Sequence, residues 1–341
     1  MRMGSALKTR VSRMSTAWGL SIDALSCGAE RTQPPAQEPA PDAAGAARCN
    51  DTHCLVPAGT FIEGSPPTEA FRAMYSEQQH AVTLTHALEV SRFETTQEEW
   101  VAAGFLNQSG TIDNGDGDRD CTEQRCPVGL ITWADAVSFA NKKSRAAGMP
   151  ACIELSDCVG EEGAGLACTT IRQTSASYYD CAGYRLPTSV EFQYLLRAGT
   201  TTTYYSGEAT NPRDDCYFVD HLAATAWYCN NSEKRTHPVG QLAPNPWGLF
   251  DMMGNAAEFT ASAPYTEDRQ SSSPVTDPHA TLPDGGTYEI RGGPMNAWPT
   301  LLRSADQGAP APALPGNVGR GVGAGFRLVR SIPPEKVSKW K

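Results

Sequence analysis

No uncharged stretch of this 341-residue chain reaches the roughly 18 residues that a membrane-spanning helix needs, so the sequence offers no such span. Basic residues are in the minority. Lys and Arg number 28 against 38 Asp and Glu, a net charge of −10. That balance excludes nucleic acid as a partner, because phosphate binding needs a basic face. No Cys-x-x-Cys pair occurs, and no Cys is followed by His at zinc-finger spacing, which removes a structural zinc site. The histidines (His53, His80, His86, His221, His237 and His279) show no close metal-ligand spacing. Gly-x-Ser-x-Gly, P-loop and dinucleotide fingerprints are missing too, and with them the chemistries they carry.

What the chain does have is cysteine, glycine and proline. Forty per cent of it is hydrophobic, ample for a core, while 31 Gly and 25 Pro favour a loop-rich globule over a helical bundle. Of eleven Cys, setting Cys27 aside leaves ten, most of them close to another. Disulfides in an oxidising compartment are the better reading; buried free thiols in a cytosolic protein are the alternative. Proximity suggests Cys49–Cys54, Cys121–Cys126, Cys152–Cys181, Cys158–Cys168 and Cys216–Cys229.

The N-terminus points to export. Arg2, Lys8, Arg10 and Arg13 precede the moderately apolar "TAWGLSIDALSC". Residues 1–27 resemble a bacterial lipoprotein signal, which would make Cys27 the acylated mature N-terminus and a lipid anchor to the membrane. Asp23 interrupts the apolar region, and a plain secretory signal is the other reading. Residues 28–48 form a Pro/Ala-rich tether with too little apolar surface to fold. From residue 49 to about 335 no repeat or second linker appears, so one domain is expected.

Within it, "CLVPAGTFIEGS" reads as a strand entering a turn. "HAVTLTHALEVSRFETTQEEWVAAG" reads as strands, then a helix capped near Thr95-Thr96. Thr132 with Asp135 opens a second helix and Thr188 with Glu191 a third, each on a capping-box pattern, the third ending at Gly199. Residues 151–181, with four Cys, read as a stapled hairpin inserted between these helices. The acidic loop "DNGDGDRD" (113–120) lacks EF-hand spacing and reads as a solvated turn. "AGFRLVRS" closes the chain as a strand.

In order, "VPAGTFIEGS", "EVSRFETTQEEW", "CPVGLITWADAVSFAN", "YRLPTSVEFQYLLRAGT", "THPVGQLAPNPWGLFDMMGNAAEF", "IRGGPMNAW", "LRSAD" and "GFRLV" resemble the formylglycine-generating enzyme, or sulfatase-modifying-factor, domain over roughly residues 53–331. The resemblance implies an α+β fold that is large and irregular, related to C-type lectins, with little regular secondary structure. It also implies a structural Ca²⁺ held by the Asp251 side chain, the Gly254 and Ala256 carbonyls and the Glu258 carboxylate. That set suits a cation wanting six to eight hard oxygens. Without a cation, the two acids would flank a turn as surface groups, or one would pair with Arg291 or Arg303. A second calcium site near Asn230 and Asn231 matches too loosely to assign.

The named enzyme of this family oxidises a sulfatase cysteine with copper held by two active-site thiolates, a few residues after a Gly-Gly-Ser strand. Thiolates select Cu(I). The matching segment, "RGGPMNAWPTLLRSADQ", has no Cys. Met295 is the only sulfur there, Pro294 follows Gly292-Gly293, and no Cys follows Cys229. No copper and no formylglycine-generating activity are therefore expected. Arg291, Arg303 and Arg327 match family arginines and read as structural, as does His237. The expected function is a binding or structural module of the cell envelope, or a secreted one, for a peptide, protein or glycan. Trp227, Trp247, Tyr265 and Trp298 are groove candidates, although core packing explains them equally. The alternative is a cysteine-independent enzyme whose pocket lies behind Gly292-Gly293.

Overall fold

A computed structural model describes residues 46–73, 76–110, 117–264, 272–278, 282, 287–308, 310–312 and 324–340. The export signal, Cys27, nearly all of the tether, Tyr265 and His279 lie outside them. The strands are β1 (Arg48–Cys49), β2 (His53–Val56), β3 (Gly59–Glu63), β4 (His80–Leu84), β5 (Ala87–Ser91), β6 (Ile153–Val159), β7 (Ala167–Gln173), β8 (Ala257–Phe259), β9 (Val275–Thr276), β10 (Thr287–Arg291), β11 (Pro310–Pro312), β12 (Ala324–Gly325) and β13 (Val329–Ile332). The helices are α1 (Gln97–Ala102), α2 (Trp133–Ala146), α3 (Ser189–Arg197), α4 (Asp220–Ala223) and α5 (Pro334–Val337). The elements are short and the connections long, as the Gly and Pro content requires.

Among the described residues the strands form sheets in the orders β1-β2-β5-β13, β11-β10-β8-β12 and β3-β4-β9, plus the β6-β7 ribbon. The last strand closes the first sheet: Val329 pairs with Val90 and Ile332 with Ala87, antiparallel. Arg48, placed by the sequence in the tether, already pairs with Leu55 in β1.

The starts of the three longer helices are local chemistry. Thr96, Thr132 and Thr188 each accept an N–H from Glu99, Asp135 and Glu191 respectively, and each acid returns the bond to its cap's N–H. Past the end of α3 both Ala198 (φ +46°), fully buried, and the expected Gly199 (φ +86°) are left-handed. Among the described residues the core is two large apolar clusters and a small third of Leu55, Ala87 and Ile332. One joins Val56, Val82, Leu88 and Val90 to α3 through Phe192, Leu195 and several tyrosines. The other stacks Trp100 on Phe139 at 5.4 Å, with Phe326 edge-on, against α2 and the base of the insertion.

The five disulfides join Cys49–Cys54, Cys121–Cys126, Cys152–Cys181, Cys158–Cys168 and Cys216–Cys229. Cys158 and Cys168 lie opposite one another in the β6-β7 ribbon. The tip of this insertion is tied back to α2 by one buried carboxylate. Asp135 accepts N–H groups from Thr132 (3.0 Å), Gly163 (2.8 Å), Gly165 (3.1 Å) and Leu166 (3.2 Å). Removing an acceptor shared by buried donors costs about 1–3 kcal/mol for each group left unmet. Asp135→Ala should therefore lower stability by about 3 kcal/mol in urea unfolding, and should raise amide exchange at 160–166 more than in α3. Unchanged exchange in that tip would contradict this role.

Candidate functional site

The segment 251–258 is buried throughout: Asp251 is 3% exposed, and Asn255 and Glu258 are fully enclosed. Gly254 (φ +74°) and Asn255 (φ +58°) are consecutive left-handed residues. A Cβ on Gly254 would lie 2.1 Å from the Trp227 carbonyl oxygen, so only glycine fits. The turn is clamped from outside it. Glu94 accepts from Asn255 Nδ2 (2.7 Å) and from the Ala256 N–H (2.8 Å), and Asn255 Oδ1 accepts the His237 N–H (2.7 Å). The structure buries Asp251, Gly254, Ala256 and Glu258 in one segment, and sets against it Glu94, which the sequence did not single out.

Neither acid is a surface group, and neither pairs with Arg291 or Arg303. Glu258 instead takes both Nε (2.9 and 2.8 Å) and Nη2 (2.6 Å) of the buried Arg327. Arg327 Nη2 also donates to the Phe250 carbonyl at 2.9 Å. Asp251 Oδ2 accepts the Gly240 N–H at 2.7 Å, while its Oδ1 is buried without a hydrogen-bond partner. Burial drives all three carboxyls up. Glu94 rises well above the usual range, pushed further by Asp251 and Glu258. Asp251 rises to about 6, although the Gly240 N–H and Arg327 oppose the shift. Glu258 rises less freely, because Arg327 opposes it.

Three buried carboxyls share one guanidinium, and the orphaned Asp251 oxygen is a hard donor of the kind Ca²⁺ takes. The donor chemistry therefore fits this ion. Among the described residues no three His, Cys, Asp or Glu side chains converge as metal ligands; the expected set needs only two, with carbonyls.

The segment after β10 is packed. Met295 is fully buried, and its N–H donates to the Asn255 carbonyl at 2.8 Å. Behind Gly292 stand the Met252 carbonyl and the Phe192 ring; behind Gly293 stand Leu302 and Ala297. All ten cysteines from Cys49 to Cys229 are in disulfides, so none offers a thiolate here. The other family arginines are tied structurally. Arg291 donates to the Asp306 carbonyl and faces Glu289 at 3.6 Å. Arg303 forks onto Glu77 with two 2.8 Å bonds and reaches Glu69 at 2.8 Å. Of the three aromatic candidates among the described residues, Trp247 is core, edge-on to Tyr194, Trp227 stacks on His237 at 3.8 Å, and Trp298 stands out in solvent. The loop expected to be solvated is not so at its end. Asp118 is buried and accepts Asn296 Nδ2 at 2.6 Å, and Asp120 is buried against Gly129. Two open depressions, about 600 and 300 Å³, flank the Cys121–Cys126 loop.

Two outcomes follow from these pairs. Arg327→Met leaves Glu258 buried and unpaired, which should cost about 3–5 kcal/mol in urea unfolding, while Glu258→Gln with Arg327→Met together should recover part of it. For Glu77, burial pushes the carboxyl up, but the Arg303 fork and the Ser65 hydroxyl outweigh it and hold it below its ordinary value. Its contribution is present above that value, near 4.5, and is lost as pH falls through the depressed folded one. Glu77→Gln should therefore flatten the loss of stability on acidification below about pH 4.5; an acid profile identical to wild type would contradict it.

The family profile of the sulfatase-modifying factor enzyme 1-like domain matches residues 39–332. The chain is similar to the chaperone protein LppX of Paenibacillus barcinonensis, 25% identical over 62% of this chain and 71% of that one. It is similar to the formylglycine-generating enzyme of Mycobacterium tuberculosis, 36% identical over 28% of this chain and only 32% of that one. In fold it is similar to Treponema denticola variable protein 1 (TM-score 0.58, 22% identity, 84% of this chain and 98% of that one). PvdO from Pseudomonas aeruginosa is comparable (TM-score 0.57, 22% identity, 87% and 100%). The chain belongs to the family of sulfatase-modifying factor enzyme 1-like domains.

Proposed function

We propose that this chain is an exported, lipid-anchored binding module that recognises polypeptide, carries a structural Ca²⁺, and lacks the copper-dependent oxidation of cysteine. The observation that carries the reading is the segment 291–307. It holds no thiolate, and the space behind Gly292-Gly293 is filled by Met252, Phe192, Leu302 and Ala297. Copper(I) needs soft ligands, and the one sulfur within this segment is the buried thioether of Met295. The filled space also weighs against a cysteine-independent enzyme working from that pocket. A relative that bears the name chaperone supports polypeptide as the ligand class. In the same reading Cys27 carries the lipid, and the domain stands in the cell envelope. Asp251, Glu258 and the Gly254 and Ala256 carbonyls would hold the Ca²⁺, which supplies charge compensation and rigidity.

Full-length protein incubated with a sulfatase-type cysteine peptide, Cu(I) and oxygen should yield no aldehyde product by mass spectrometry. It should instead bind a reduced and alkylated, permanently unfolded protein in preference to its folded form. Aldehyde formation would sink the reading. After chelator treatment, added Ca²⁺ should release or take up heat in calorimetry and raise the Tm by about 3 °C or more. Asp251→Asn should reduce that rise. No heat and no rise would remove calcium from the account.

A further inference from the structure

The short 3₁₀ turn Pro299–Leu302 presents two large apolar side chains to solvent. Trp298, its N-cap, is 42% exposed and Leu301 is 49% exposed. Trp298 enters the turn in extended conformation, so both side chains are carried by one short segment. The turn is rigid beneath them. Leu302 is buried, Tyr204 Oη donates to the Pro299 carbonyl at 3.0 Å, and Arg303 is clamped by Glu69 and Glu77. Phe218, 61% exposed, belongs to the neighbouring segment. It lies two residues beyond Cys216, whose disulfide partner Cys229 donates its N–H to the Ala297 carbonyl at 3.2 Å. Scattered exposed apolar residues are ordinary, but large ones on adjoining rigid segments mark a contact surface. The residues around Phe218 are acidic: Asp214, Asp215 and Asp220 are exposed, and the one cation among them, Arg213, already pairs with Asp215 at 3.4 Å.

We infer that this face docks a partner polypeptide segment whose apolar side chains are flanked by Lys or Arg. A pre-positioned tryptophan is an efficient anchor, and the acidic margin complements cationic flanks. The net charge of −10 steers such a segment toward the domain. A second copy of this chain would set the same acidic margin against itself across a two-fold axis, which disfavours it. The inference rests on the polypeptide-binding reading and gives it a surface and a ligand chemistry.

The test uses the full chain and three fluorescent twelve-residue synthetic peptides in anisotropy titrations. One combines Leu and Phe with flanking Lys; the second has Glu for Lys; the third has Ser for Leu and Phe. The Lys peptide should bind about tenfold or more tightly than either control, and more weakly as salt is raised. Trp298→Ala and Leu301→Ser, each exposed and so not expected to unfold the domain, should weaken it about tenfold, with unchanged Tm as the folding control. Asp214→Lys with Asp220→Lys should lose the preference for Lys over Glu. Equal binding of the Lys and Glu peptides, or full binding by Trp298→Ala, overturns the inference. So does a wild-type dimer that Trp298→Ala dissociates. If the unfolded protein of the preceding section binds and survives Trp298→Ala intact, polypeptide recognition stands and this face fails. If neither the protein nor any peptide binds, both fail.

Discussion

The buried guanidinium of Arg327 is the constraint around which the rest is arranged. It neutralises Glu258, bonds the Phe250 carbonyl and shares its surroundings with Glu94 and Asp251. A fold with short strands and long loops has many backbone carbonyls outside any ladder, and buried ones need donors. Here fixed side chains supply them. Arg303 donates to the Thr300 carbonyl, Arg197 to Gly64, Arg291 to Asp306 and Asn245 to Leu195. Burying such a cation is costly, and paired acids offset it where they stand, as Glu191 for Arg185 and Glu77 for Arg303. Irregularity and internal ion pairing are therefore two sides of one solution.

The same engagement reaches the motifs of the family. The turn at Gly254-Asn255 is clamped by Glu94, and the Met252 carbonyl and the Phe192 ring stand close behind Gly292. Residues 291–307 contain no cysteine; Met295 and Leu302 are buried there, while Trp298 and Leu301 face solvent.

The parts of this structure that were legible in the sequence are those decided within a few residues. Thr96, Thr132 and Thr188 cap helices because the partner acid lies three positions on. The cysteine pairs follow short loops. What was not legible lies far along the chain. Glu258 finds Arg327 at a separation of 69 residues, where Arg291 and Arg303 looked as plausible. Glu94 meets Asn255 across 161 residues, with nothing local to mark it. Asp118 and Asp120 were read as solvated because acidic, glycine-containing loops usually are; Asn296, 178 residues away from Asp118, supplies the partner that allows burial. The tryptophans were indistinguishable as letters, and only packing separates buried Trp247 from exposed Trp298.

The pairing of β13 with β5 has a consequence for how the molecule is made. Synthesis proceeds from the N-terminus, yet the first sheet lacks its edge, and Glu258 and Glu89 lack their arginines, until Arg327 to Ile332 have emerged. A nascent chain that has not yet reached Arg327 and Arg330 would leave Glu258 and Glu89 without counter-ions, so closing this sheet and burying these acids wait on the same short stretch of sequence.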